Sequence, residues 1–134
     1  MVELKNIAID FELMHDSFLE DWNMAMATGE TSDLDRMTED YYVTFFRSAN
    51  DRPAFFNKQE AIDGLNQSVM HFRGCQKRFE NRVIRLRNKE NAVVFYEQLI
   101  VKNEEVLARL FTIENWQLIQ QKWMIVRETE EAIN

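Results

Sequence analysis

The chain has 134 residues, of which 46% are hydrophobic and 29% charged, with one cysteine and a formal net charge of −7. Such a length fits one domain over residues 1–134, and a chain of this size can bury about 70% of its unfolded surface without a disulfide or metal staple. The lone Cys75 excludes an internal disulfide framework and a cysteine-based zinc cluster, the acidic balance argues against nucleic acid and anionic membranes, and no run approaches the ~18 apolar residues of a membrane span.

Leu4, Ile7, Phe11, Met14 and Phe18 recur at spacings of three and four, and Trp22 and Met26 extend the stripe. That period predicts a helix from Leu4 to Thr28, with Gly29 closing it in a left-handed conformation. The first residues lack a basic segment followed by an apolar run, so they do not read as a signal peptide, and a cytoplasmic location is the expectation. A short second helix is expected next, with Ser32 or Asp33 as its cap and Leu34 and Met37 inward. Tyr41-Tyr42-Val43-Thr44-Phe45-Phe46 has strand composition, and Ser48 to Pro53 reads as a loop. Asn57-Lys58-Gln59-Glu60 looks like a capping box that opens a helix carrying Ile62, Leu65, Val69 and Phe72 inward, with Gly74 at its close.

The rest reads as a meander. Strands are expected over 79–86, 92–101, 106–113 and 118–127, with turns at Asn88–Asn91 and Lys102–Glu105. Glu114 to Gln117 could be a turn or a bulged continuation. Neighbouring strands joined by short polar turns imply an antiparallel sheet, and helices gathered on one face of it make an α+β domain.

In this order the sequence resembles the nuclear transport factor 2-like superfamily, which includes ketosteroid isomerase, scytalone dehydratase and small polyketide cyclases. The resemblance rests on residues 22–30, similar to a first helix ending in Gly-Asp, and on Leu34 and Met37 before Tyr41-Tyr42-Val43. It rests also on 57–62, similar to a Gly-x-x-Ala-Ile helix start, and on 121–126, similar to a closing Gly-Lys-Trp-x-Ile strand. It implies a cone-shaped curved antiparallel sheet, with a long N-terminal helix and two further helices on its concave face. It implies an apolar pocket inside the cone and a homodimer through the sheet's outer face. The fold does not specify a function.

Carried over residue by residue, the resemblance leaves the isomerase roles vacant. Trp22 stands where the isomerase has its oxyanion-binding tyrosine, Phe46 where it has its basic aspartate, and Val106 near its second oxyanion donor. Phenylalanine moves no proton, so isomerase activity is not expected.

Other polar groups carry two readings each. His15 lies seven residues before Trp22. It could face the pocket as an acid or base, or sit half-exposed at the rim of the helix. His71 reads as a surface or capping residue at a helix end. Two histidines without an H-E-x-x-H spacing give little support for a metal site, and no cofactor is implied. Glu97 and Arg109 each interrupt an apolar alternation and would face each other if the connecting turn centred on Asn103. They would then orient a ligand inside the cone or pair on the outer face. Lys77 to Lys89 carries six of the 16 basic residues and reads as a strip balanced by Glu104, Glu105, Glu128, Glu130 and Glu131. The aromatic supply, with seven methionines to fill gaps, either lines a hollow or fills the cone solid.

The expected function is therefore binding of a small hydrophobic molecule, with His15, Phe18, Trp22, Met26, Tyr42, Phe46, Glu97, Arg109 and Phe111 as candidate pocket residues. The alternatives are a lyase or isomerase with a rearranged site built on His15, Trp22, Tyr42 and Glu97, and a dimeric interaction module.

Overall fold

The computed structural model describes residues 3–48 and 52–133. Helix α1 spans Leu4–Thr28 and ends where Gly29, at φ 84°, donates its N–H to the Ala25 carbonyl at 2.7 Å. Only glycine takes that backbone geometry without a steric cost. A single 3-10 turn covers Ser32–Leu34 in place of a second helix. Neither Ser32 nor Asp33 caps it, and Met37 already belongs to strand β1 (Met37–Phe46). Of the expected loop, residues 49–51 lie outside the described residues. Strand β2 (Ala54–Asn57) follows Pro53 and was not expected. Helix α2 (Lys58–His71) opens on the capping box: Asn57 accepts from the Glu60 N–H, and Glu60 accepts from the Asn57 N–H.

The remaining strands are β3 (Gln76–Asn88), β4 (Asn91–Lys102), β5 (Glu105–Ile119) and β6 (Lys122–Ala132). Glu114 to Gln117 continues β5, the second of its two readings, and the last turn falls at Gln120 and Gln121, inside the strand expected over 118–127. Both glutamines have positive φ, at 49° and 66°. That is turn geometry usually announced by Asn-Gly, and Gln-Gln gives no such signal.

The six strands form one sheet in the order β2-β1-β6-β5-β4-β3. Every neighbouring pair is antiparallel except β1 and β6, which run parallel. The sheet is therefore mixed and not wholly antiparallel. Only the hairpins could be read locally; where β1 inserts depends on contacts more than 80 residues apart in sequence.

The curved sheet holds α1 against its concave face, giving the α+β cone of the fold class. One end of the cone is filled. Phe11 packs edge-on against Trp116 and Trp123, with ring centroids 5.8 and 4.9 Å away, and Phe18 packs edge-on against Trp116 at 5.2 Å. Asn23 on α1 ties that helix to the start of β3, donating to the Lys77 carbonyl at 3.1 Å and accepting from the Lys77 N–H at 2.9 Å.

Candidate functional site

At the other end the cone is hollow. A cavity of about 360 Å³ lies between α1, α2 and the sheet. Phe18 and Trp22 of α1, Tyr41, Val43 and Phe45 of β1, and Ala61 and Leu65 of α2 supply much of its apolar wall. Its polar wall consists of Lys77, Gln98, Glu128 and Glu130, with Glu60 and Arg47 also facing it.

Strand alternation decides who faces in. On β1 the odd positions Met37, Tyr41, Val43 and Phe45 line the cavity. Tyr42 and Phe46 therefore point to the other face, where Tyr42 is register partner to Arg127 and Phe46 to Glu131. The doublets Tyr41-Tyr42 and Phe45-Phe46 are aromatic in both phases, so the sequence could not choose between them. On β4 the even positions Tyr96, Gln98 and Ile100 face inward. Glu97 is thus on the outer face, where it accepts from Asn81 at 3.0 Å.

Arg109 and Phe111 share that outer face. Glu97 is paired with Phe111, and Arg109 with Leu99. The expected Glu97–Arg109 pairing fails because the β4–β5 turn is made by Asn103 and Glu104, both at positive φ, and a register shift follows between Ile100 and Val101. Together they move the register two residues away from a turn centred on Asn103.

Met26 is fully buried in the core and not on the cavity wall. His15 is neither at a rim nor in the cavity. It is 0% exposed, and its ring lies among Phe11, Phe18 and Trp116. Arg82 donates to His15 Nδ1 at 3.1 Å. An arginine only donates, so Nδ1 accepts and the Nε2–H donates a hydrogen bond to Glu114 at 2.8 Å. Glu114, 1% exposed, also accepts from Trp116 Nε1 at 2.9 Å and from the Tyr96 hydroxyl. Of the candidate residues, only Phe18 and Trp22 line the cavity. Of the isomerase positions, only Trp22 does: Phe46 is on the wrong face, and Val106 is exposed at the start of β5.

The polar wall was missed in the sequence. On β6, Trp123 and Ile125 are buried, but a register shift opposite Asn115 and Trp116 inserts one residue and changes the phase. Glu128 and Glu130 then turn inward, opposite Glu114 and Thr112. The Tyr41 hydroxyl donates to Glu128 at 2.8 Å. Burial, reinforced by the Glu114 charge, pushes the Glu128 carboxyl well above its ordinary range. Burial also raises Glu130, against the opposing pull of Lys77. Burial and the nearby glutamates raise Tyr41 and Tyr96 as well, so both phenols keep their protons.

Lys77 was expected in a solvated basic strip; it is 7% exposed. Its Nζ donates to Gln98 Oε1 at 2.8 Å and stands 3.4 Å from the centre of the Trp22 ring. Gln98 in turn donates to Thr112 at 2.8 Å. Desolvation brings Lys77 down to about 8. The strip's ion pairs are with carboxylates other than those expected: Arg82 pairs with Asp16 at 2.7 Å and with Glu12 at 3.8 Å, and Arg78 with Glu80 at 3.1 Å. One signal could have found Lys77: it stands two residues before Phe79, on the same strand phase.

No protein-family model matches the chain, and no curated protein is significantly similar to it. Solved structures are similar in shape. An NTF2-like protein with a cystatin-like fold from Novosphingobium aromaticivorans superposes with a TM-score of 0.67 at 12% identity, over 100% of this chain and 92% of that one. A protein of unknown function with a cystatin-like fold from Nostoc punctiforme gives 0.69 at 16% identity, over 91% and 90%. A hexachlorocyclohexane dehydrochlorinase from Novosphingobium barchaimii gives 0.72 at 8% identity, over 97% and 91%. At these identities the likeness concerns the fold alone. Among the described residues, no helix is long and apolar enough to cross a membrane.

Proposed function

We propose, from the premise that this chain carries the nuclear transport factor 2-like fold, that it binds a small hydrophobic molecule in the open end of the cone. The observation that carries this reading is the cavity of about 360 Å³, walled by aromatic rings and closed on one side by a few polar groups. Sites for small molecules have this size and this mixture of an apolar wall with few polar tips. The lyase or isomerase built on His15, Trp22, Tyr42 and Glu97 finds no support, because only Trp22 of these four lines the cavity.

A homodimer through the outer face of the sheet accompanies this reading. Val83, Phe95 and Ile113 form a cross-strand apolar row on that face, with Phe111 beside it. Light scattering on the purified protein tests it; a monomer at every concentration would remove it.

Thermal unfolding against a panel of steroids, aromatic polyketides and fatty acids tests the cavity. A ligand at 100 times its Kd stabilises by about 2.7 kcal/mol, which for a chain of this length is a rise of several degrees in Tm. Trp22→Ala should abolish the rise and Leu13→Ala, on the exposed side of α1, should not. No rise with any class would sink the proposal.

A further inference from the structure

We infer that Lys77 is a carbonyl-reactive nucleophile, and that the cavity takes a hydrophobic aldehyde or ketone which it holds as a Schiff base. This rests on the proposed cavity and names the chemistry of its occupant.

Lys77 is the one lysine on the cavity wall, and it is nearly dry. Among the described residues no carboxylate comes within ion-pair distance of its Nζ. A buried ammonium without such a partner is poorly stabilised as a cation. The groups facing it are spread over the fold. Glu130 and Glu128 of β6 and Glu114 of β5 favour its charge only when they are ionised, and desolvation outweighs them even then. Trp22 of α1 and Gln98 of β4 fix its position. Glu60 of α2 and Arg47, just past β1, also line the wall. The balance leaves an amine that loses its proton near pH 8, against 10.5 for an ordinary lysine. Desolvation in an apolar pocket is how such amines become nucleophiles.

The second requirement is a proton donor beside the carbonyl oxygen. The raised carboxyls of Glu128 and Glu130 face the same cavity and keep protons where ordinary glutamates do not. The step balances without an outside reactant. The Nζ lone pair attacks the carbonyl carbon, the C=O π pair moves to oxygen, and oxygen takes the Glu128 proton. Nitrogen returns a proton to Glu128. That proton then goes to the carbinolamine hydroxyl, which leaves as water while the nitrogen lone pair closes the C=N bond. Amine, carbonyl and neutral carboxyl become a protonated imine, a carboxylate and one water. The new cation then shares the cavity with the Glu128 carboxylate that the step leaves, which favours it.

The test incubates the whole protein with 2-naphthaldehyde and cyanoborohydride, and locates adducts by intact mass and peptide mapping. The expected result is one naphthylmethyl group on Lys77, forming at a rate that rises through pH about 8, absent in Lys77→Met and Lys77→Arg, and blocked by 2-naphthylmethanol. The competition and the pH profile use the unaltered chain, so the test stands even if the variants do not fold. Adducts spread over Lys5, Lys58, Lys89, Lys102 and Lys122 with the pH dependence of ordinary lysines overturn the inference. If 2-naphthylmethanol raises Tm but Lys77 stays unmodified, the inference falls and the cavity reading stands. If neither compound interacts, both fall.

Discussion

The two ends of the cone bury charge in opposite ways. In the filled end Glu114 is enclosed by aromatic rings and accepts from three side chains, His15, Trp116 and Tyr96. Its neighbour His15 is satisfied on both nitrogens, and Arg82 carries the network to Asp16 at the surface. In the open end Glu128 has one donor, Tyr41, and Lys77 has one acceptor, Gln98, and an aromatic face. Glu114 and Glu128 are direct register partners on adjacent strands, yet they differ in both partners and depth: Glu114 is fully buried, while Glu128 is part-exposed at the hollow. A buried polar group with all its partners specifies a fold; one facing a hollow with partners to spare invites a ligand.

The largest effect is expected in the filled end. Glu114→Ala leaves the buried donors of His15, Trp116 and Tyr96 facing nothing. Breaking a buried charged network costs about 3–5 kcal/mol, a large share of the roughly 5–15 kcal/mol that holds a domain together. Urea denaturation should show a collapse of the midpoint or no folded protein at all. Glu128→Gln, which keeps an acceptor for Tyr41 and resembles the neutral carboxyl it replaces, should cost about 1 kcal/mol or less near pH 4.5, and near neutral pH it should be level with or more stable than the wild type, because it has no proton for the unfolded chain to release. Equal losses in the two variants would erase the distinction between the ends.

A middling effect separates the ends by pH. Glu128 is raised in the folded state, so above its ordinary value of 4.5 the native chain holds a proton that the unfolded chain has released. Stability from this group is complete below pH 4.5 and drains as pH rises toward the folded value, at up to about 1.4 kcal/mol per pH unit. Lys77 acts over a different window. Its folded value of about 8 lies below the ordinary 10.5, so the unfolded chain binds the extra proton between them. Stability from Lys77 therefore rises with pH across that interval. Denaturant midpoints from pH 4 to 10, in the wild type and in Glu128→Gln, should differ by a gap that closes as pH falls. A constant gap would mean that Glu128 ionises normally in the native state.

The sequence carried the scaffold better than the site. Helix α1 was legible to the residue, because a 25-residue amphipathic stripe ends in a glycine that the backbone needs. The capping box at Asn57 was legible because its two hydrogen bonds are local. The hollow's polar wall was not, because each of its members depends on phase. Glu128 and Glu130 turn inward only through the irregularity in β6. Tyr96 and Gln98 lie on a strand whose two faces are both largely apolar, Val93, Phe95, Leu99 and Val101 on one and Ala92, Val94 and Ile100 on the other. Period alone cannot orient such a strand. The Glu97–Arg109 pairing was lost for the same reason, to a two-residue turn and one shift of register. His15 was misplaced because its partner is 99 residues away.

The smallest effect is expected on the outer face, and it is the sharpest check on the phase of the strands. Tyr42 is 38% exposed, and its hydroxyl is 3.5 Å from Arg127, too long to hold much energy. Glu97 meets Asn81, and Arg109 lies beside Leu99. Substituting Tyr42, Glu97 or Arg109 by Ala should move stability by about 0.5 kcal/mol or less, the ordinary range for surface sites. The affinity of any ligand found for the cavity should be unchanged, because none of these side chains reaches it. If Tyr42→Ala weakens binding while Tyr41→Phe does not, β1 presents its even residues to the hollow. The carboxyl wall would then face a surface and not a site.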